Sequence, residues 1–163
     1  MKKAFVFDFD DTLATTECKV LVHKGVSHWA VVKELTPAEY NSYELKENEY
    51  FDYAQFQCGQ RISEACATLL IDLAKEVHDE NHDVYILTAR SSVCADAIEA
   101  FLALHGIKPK FVFCVGDTNG SIAKEKSKIL LAIMQGYDKV YFYDDDKTNV
   151  ETAKEIGVKS YLI

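Results

Sequence analysis

Four short segments of the chain gather the side-chain types that phosphate and metal chemistry need. They are Asp8-Phe9-Asp10-Asp11-Thr12, Thr88-Ala89-Arg90, Gly116-Asp117-Thr118-Asn119 and Asp144-Asp145-Asp146. Asp8 and Asp10, two residues apart, can point to the same side of an extended segment. Carboxylates held a few ångströms apart repel, so such a pair calls for a shared proton or a divalent cation. Mg²⁺ suits an all-oxygen ligand set and keeps waters that a substrate phosphate can replace. One carboxylate can then attack phosphorus while the other handles a proton. The Thr88 hydroxyl and neighbouring backbone N–H groups, Ala89 among them, are donors for phosphate oxygens, and a lysine would neutralise the charge on the group being transferred.

Three lysines compete for that last task, at 124, 126 and 128. Ile129, Leu130 and Ile133 lie three, four and seven residues after Lys126, a spacing that aims Lys126 toward the buried side of a helix and turns Lys124 and Lys128 toward solvent. Lys126 is therefore the expected phosphate lysine, with Lys124 second.

The elements that must carry these segments alternate. Apolar runs at 4–9 (AFVFDF), 83–87 (DVYIL), 110–115 (KFVFCV), 139–143 (KVYFY) and 159–163 (KSYLI) read as strands. Between them, helical periodicity covers 64–78, with a stripe at Ala65, Leu69, Leu70, Leu73 and Val77, then 92–105, 121–135 and 149–156. Near-continuous apolar strands alternating with helices imply an α/β fold, a parallel sheet covered on both faces. In such sheets ligands bind at the carboxyl ends of the strands, and each of the four segments directly follows a strand. Residues 14–62 break the alternation. They hold a hairpin-like arm at 18–23 and a stretch rich in acids and aromatics at 33–56, expected to form a small cap-like insert over the sheet's active end within a single domain of residues 1–163.

Composition sets the outer bounds. The chain has 163 residues, 48% of them hydrophobic and 27% charged, enough to build a packed core and unlike a disordered or repetitive sequence. Eighteen basic against 26 acidic residues give a net charge of −8, which argues against a general duplex or anionic-membrane binder. The apolar runs are too short to span a bilayer, and the opening MKK lacks a signal peptide's apolar stretch, so a soluble cytoplasmic chain is expected. Five cysteines with no CxxC pair are expected to be reduced and mostly buried, and the five histidines, His28 among them, show no zinc-ligand spacing.

Taken together, the motifs resemble those of the haloacid dehalogenase superfamily. FVFDFDDTL is similar to its DxDxT motif, LTAR at 87–90 to its second, Lys126 to its third and YDDDKTN at 143–149 to its fourth. The resemblance implies a Rossmann-like fold and a Mg²⁺-dependent phosphatase. Asp8 would be the nucleophile that forms an aspartyl-phosphate, and Asp10 the general acid/base. Asp144 would hold Mg²⁺ with the Asp8 side chain and the Asp10 carbonyl, Asp145 would be a second or outer ligand, and Thr88 and Lys126 would hold the phosphate. The fourth motif departs from the pattern: where an acid is common, Thr148 stands, followed by Asn149, and the Asp144–Asp146 triplet leaves the ligand register open by one. The C-terminal half further resembles the 3′-phosphatase domain of polynucleotide kinase–phosphatases. Arg90 would then contact substrate phosphate, or else pair with Asp10 or Asp117. The implied substrate is a nucleotide or a nucleic-acid 3′-phosphate, with a sugar or metabolite phosphate as the alternative and a non-catalytic phospho-ligand module as a remote one. Trp29, Tyr40, Tyr43, Tyr50 and Tyr53 could stack a base, or simply form core.

Overall fold

A computed structural model of the chain describes residues 1–26 and 30–163. His28 and Trp29, considered above, lie outside the described residues. Five strands, β1 (Lys3–Phe7), β7 (Asp83–Thr88), β8 (Phe111–Cys114), β9 (Lys139–Asp144) and β10 (Lys159–Leu162), form one sheet in the order β10-β9-β1-β7-β8, and every pairing is parallel. From β1 the chain builds outward through β7 and β8, then returns to add β9 and β10 on the other side. The topological switch thus falls at β1, and in such sheets ligands bind at the carboxyl ends of the strands beside it.

Both faces of this sheet are covered, as continuous apolar strands require. Phe5, Phe7, Val84 and Ile86 pack on one side against α2 (Leu70–Asp79) and α3 (Ala95–Leu104). Ala4, Val6, Tyr85, Leu87, Val140 and Phe142 pack on the other against α4 (Ile122–Met134) and α5 (Lys147–Glu155). The alternation along β1 is the period-two pattern of a strand buried on both faces.

Two stretches differ from the sequence reading. The helix expected from residue 64 begins only at Leu70; a 3₁₀ turn occupies Gln60–Glu64, and Cys66–Ala67 (β6) pairs antiparallel with Ala14–Thr15 (β2). The buried stripe of α2 is Ile71, Ala74 and Val77, and Leu69, placed on the stripe by spacing, is 90% exposed. Pairing with a strand 50 residues upstream overrides the local periodicity here, which no window of sequence displays. The cysteines also differ, since Cys18 and Cys94 are buried but Cys58 and Cys66 are exposed.

The β2–β6 ribbon, with the Thr68 amide donating to the Leu13 carbonyl, draws together the two ends of the segment between. That segment is an antiparallel sheet of β3 (Val20–Lys24), β4 (Val31–Leu35) and β5 (Glu49–Asp52) in the order β4-β3-β5, with a one-turn helix α1 (Pro37–Tyr40) between β4 and β5 and 3₁₀ turns after β5. It has its own small core: Val20, Val22 and Leu35 are buried beneath Tyr40, Tyr43, Phe51 and Phe56. Tyr50 stacks on His23, and the Tyr40 and Tyr53 hydroxyls bond to each other at 2.9 Å, so these rings pack largely among themselves.

At the opposite, amino-terminal edge of the main sheet, Asp83 accepts hydrogen bonds from Tyr137 and Lys110 and pairs with Lys2 at 3.3 Å. Burial works against its charge, but these partners outweigh burial and bring its carboxyl from 3.8 down to about 2. A carboxyl depressed in the folded state adds stability above its unfolded value, and that stability is lost as pH falls toward the folded value. Asp83→Asn is therefore expected to lower urea-unfolding stability at pH 6, with the gap from wild type closing between about pH 4 and pH 2. A gap that stays constant with pH would contradict this role.

Candidate active site

At the carboxyl end of β1, the Asp8 amide donates to the Tyr143 carbonyl at 2.8 Å, locking the end of β1 to β9. This brings Asp8 beside Asp144 and Asp145, with one carboxylate oxygen from each of the three lying within 4.8 Å of the others. Asp8 and Asp144 are buried, and Asp145 is half-buried. Lys126, 2% exposed, reaches from the first turns of α4 and donates to Asp8 Oδ1 and Asp144 Oδ2, both at 2.7 Å. The same helix leaves Lys124 and Lys128 at the surface, and Lys128 pairs there with Glu125.

The fourth segment divides its three acids by task. Asp144 Oδ1 accepts from the Asp146 amide at 2.8 Å, and the Asn149 side-chain amide donates to both Asp144 oxygens at 3.3 and 3.1 Å. Asp146 caps α5, accepting from the Thr148 and Asn149 amides. Asp144 and Asp145 are thus left to the site. Asn149 and Thr12, whose hydroxyl donates to Asp8 Oδ2 at 3.4 Å, hold the carboxylates without having been singled out for that purpose. The place of Asn149, in the first turn of α5 and five residues after Asp144, is the signal the sequence carries.

Charge is out of balance here. Burial pushes the Asp8 carboxyl well above its usual range; Lys126 opposes that, and Asp144, Asp145 and Asp10 add to it. Burial, then Asp144 and Asp11, raise Asp145 to about 6. Burial works against the charge on Lys126, but its two carboxylate partners win and hold it protonated. The upward shifts of Asp8 and Asp145 mark carboxyls that the single ammonium of Lys126 does not fully compensate in this largely buried cluster of oxygen donors. That is the donor set a Mg²⁺ ion fits, and Asp8, Asp144 and Asp145 are the side chains that would hold it.

The second segment flanks this cluster. Thr88 is fully buried at the end of β7, and its hydroxyl accepts from the Arg90 amide at 3.2 Å. Gly116 packs directly on the turn, its amide donating to the Arg90 carbonyl at 3.0 Å; a side chain there would run into the carbonyls of Ala89 and Arg90. Arg90 itself, 1% exposed, forks onto Asp10, with Nε to Oδ2 and Nη2 to Oδ1 at 2.8 Å each. Of the two structural partners considered for Arg90, the structure gives it Asp10. Asp117 instead accepts from the Ser92 amide and hydroxyl at 3.0 and 2.6 Å.

With this geometry in view, comparison with solved structures places the fold. The whole chain superposes on 45% of a chain in a Pnkp1/Rnl/Hen1 complex, with a TM-score of 0.64 and 15% identity. A second structure of that assembly, described as an RNA repair complex, gives 0.62 and 15% over 42% of its chain. The chain thus spans less than half the length of these two matches. A haloacid dehalogenase-like hydrolase from Streptococcus pneumoniae gives a TM-score of 0.56 and 14% identity, covering 99% of this chain and 84% of that one. An enzyme of the same family from Bacteroides thetaiotaomicron, solved with magnesium and inorganic phosphate, gives 0.53 and 14% over 99% and 94%. The fold is that of the haloacid dehalogenase-like proteins. No family model and no curated protein matches the sequence. Among the described residues, no helix is long and apolar enough to cross a membrane.

The buried triad gives a direct stability test. Removing one partner of a buried ion pair strands the other charge, typically at a cost of about 3–5 kcal/mol. Lys126→Met is expected to lose stability on that scale in urea unfolding without added metal, while Lys124→Met changes it by less than about 0.5 kcal/mol. Equal losses for the two variants would contradict the arrangement.

Proposed function

We propose that this chain is a Mg²⁺-dependent phosphomonoester hydrolase working through an aspartyl-phosphate on Asp8. The observation that carries the reading is the cluster at the switch point: Asp8, Asp144 and Asp145 within 4.8 Å, neutralised only in part by the buried Lys126. Its position at the carboxyl ends of the strands is where such a fold binds ligands. The magnesium and phosphate described for the Bacteroides thetaiotaomicron enzyme support the same reading here.

The steps follow from the side chains. A carboxylate oxygen of Asp8 attacks phosphorus while the bond from phosphorus to the leaving oxygen breaks, and Asp10 gives that oxygen a proton. Water, losing its proton to Asp10, then attacks phosphorus and frees inorganic phosphate and the Asp8 carboxylate. Lys126, the Thr88 hydroxyl and the Ala89 amide hold the phosphoryl oxygens as negative charge spreads over them. The Asp8, Asp144 and Asp145 carboxylates and the Asp10 carbonyl would hold Mg²⁺, which when bound would supply Lewis-acid neutralisation of that charge. Residues 14–62 serve as the cap, a small one that leaves room for a polymer end.

The substrate class we propose is a nucleotide or a nucleic-acid 3′-phosphate. The fold's likeness to a chain of the Pnkp1/Rnl/Hen1 RNA repair complex supports it, as does the sequence resemblance of the C-terminal half to the 3′-phosphatase domain of polynucleotide kinase–phosphatases. A net charge of −8 favours a short end over a long duplex.

Phosphate release is expected from 3′-phosphorylated oligonucleotides or nucleotides in preference to sugar phosphates, with p-nitrophenyl phosphate as the generic substrate. Chelator should abolish it and Mg²⁺ restore it; activity that survives chelation would contradict the metal assignment. Asp8→Asn should fold and lose turnover, so retained activity would move the nucleophile elsewhere. Lys126→Ala should cost far more kcat/KM than Lys124→Ala.

A further inference from the structure

We propose that Arg90 is a positioning residue for Asp10, and that the insert, by holding Arg90, is part of the proton-transfer apparatus. The proposal rests on the phosphomonoesterase reading above. A planar guanidinium that forks onto both oxygens of a carboxylate fixes its plane as well as its place. Arg90 does this to Asp10 from a position 1% exposed, while the Asp10 side chain stays 19% exposed. Two of the roughly four acceptor sites of the carboxylate are occupied, which leaves the others for a leaving oxygen or a water. Proton transfer demands alignment, and small misplacements of a reacting group are costly.

The contacts around the guanidinium come mainly from residues 14–62. Nη2 also donates to the Thr16 hydroxyl at 3.4 Å and reaches the Cys18 sulfur at 3.6 Å. The Phe56 ring lies 5.2 Å from the guanidinium carbon, and Phe9, at 6.0 Å, closes the core side. The Phe56 carbonyl is anchored in turn by the Cys94 thiol. The insert therefore bears on the proton-handling carboxylate through one arginine. The bidentate commitment to Asp10 sets Arg90 apart from the phosphate grip proposed for Lys126 and Thr88. Its remaining nitrogen, Nη1, is buried without a hydrogen-bond partner among the described residues, so a phosphate contact is the rival that the experiment must separate.

A double-mutant cycle does so. Wild type, Asp10→Asn, Arg90→Ala and the double variant are assayed with Mg²⁺ on a 3′-phosphorylated oligonucleotide and on p-nitrophenyl phosphate, with circular dichroism melts to confirm folding. General acid/base catalysis is worth roughly 10²–10⁴-fold, so Arg90→Ala should lower kcat by about 10²-fold, with the loss in kcat rather than KM. In the Asp10→Asn background it should cost less than about 3-fold more, because residues that act as a unit are not additive. Phe56→Ala should show a smaller kcat loss that also disappears in that background. Should Arg90→Ala fail to fold, Arg90→Lys, which keeps the charge and loses the fork, takes its place in the cycle. Equal factors in both backgrounds, or a loss confined to KM, would overturn the proposal and make Arg90 a phosphate ligand. A wild type that hydrolyses no phosphomonoester would overturn the underlying reading itself.

Discussion

One buried ammonium between two buried carboxylates organises the active end of this molecule. Lys126 can lie at 2% exposure only because Asp8 and Asp144 meet it at 2.7 Å, and those two can approach each other only because it stands between them. Their placement depends in turn on the parallel register of β1 and β9, which ends both strands at one level of the sheet. Exchanging such a triad for apolar residues would often be neutral or favourable for stability, so stability alone does not account for its presence. The third carboxylate, Asp145, leaves the cluster short of positive charge. That shortfall supports the Mg²⁺ site proposed above.

The insert gives the same end of the sheet a second layer of control. Its ends are drawn together by the short β2–β6 ribbon, and its core of Val20, Val22 and Leu35 beneath four aromatic rings lets it hold its own shape. Through Thr16, Cys18 and Phe56 it bears on Arg90, and through Arg90 on Asp10. Gly116 supports the same arginine from the other side, where its amide meets the Arg90 carbonyl. On the proposed reading, the nucleophile Asp8 belongs to the switch point, whereas Asp10 rests on an arginine shared by core and insert.

Much of this was legible before any coordinates. The main strands read as apolar runs, a signal clearest in β1 and β7, which are buried on both faces, and every polar cluster falls at or just after the end of a strand. The phasing of Ile129, Leu130 and Ile133 aims Lys126 inward, since a helix repeats its face every three to four residues. What stayed hidden depends on distant pairing. The ribbon joining Ala14–Thr15 to Cys66–Ala67 replaces the first turns of the expected helix and leaves Leu69 in solvent. The three-stranded sheet of the insert shows only one recognisable arm in the sequence. The fork of Arg90 onto Asp10 links residues 80 apart, and sequence reading could offer that pairing only as one of several. Asp146 could not be told from its neighbours until its capping of α5 was seen.

The central claim is that Asp8 carries the phosphoryl group, and the most direct measurement is to trap it there. The enzyme would be mixed with Mg²⁺ and a 3′-phosphorylated oligonucleotide, quenched in acid within a turnover and reduced with borohydride, which converts an aspartyl-phosphate to homoserine. Peptide mass spectrometry should then find homoserine at position 8 and at no other aspartate, with none in the Asp8→Asn variant. Homoserine at a different aspartate, or steady phosphate release with unmodified Asp8 in every quench, would contradict the account.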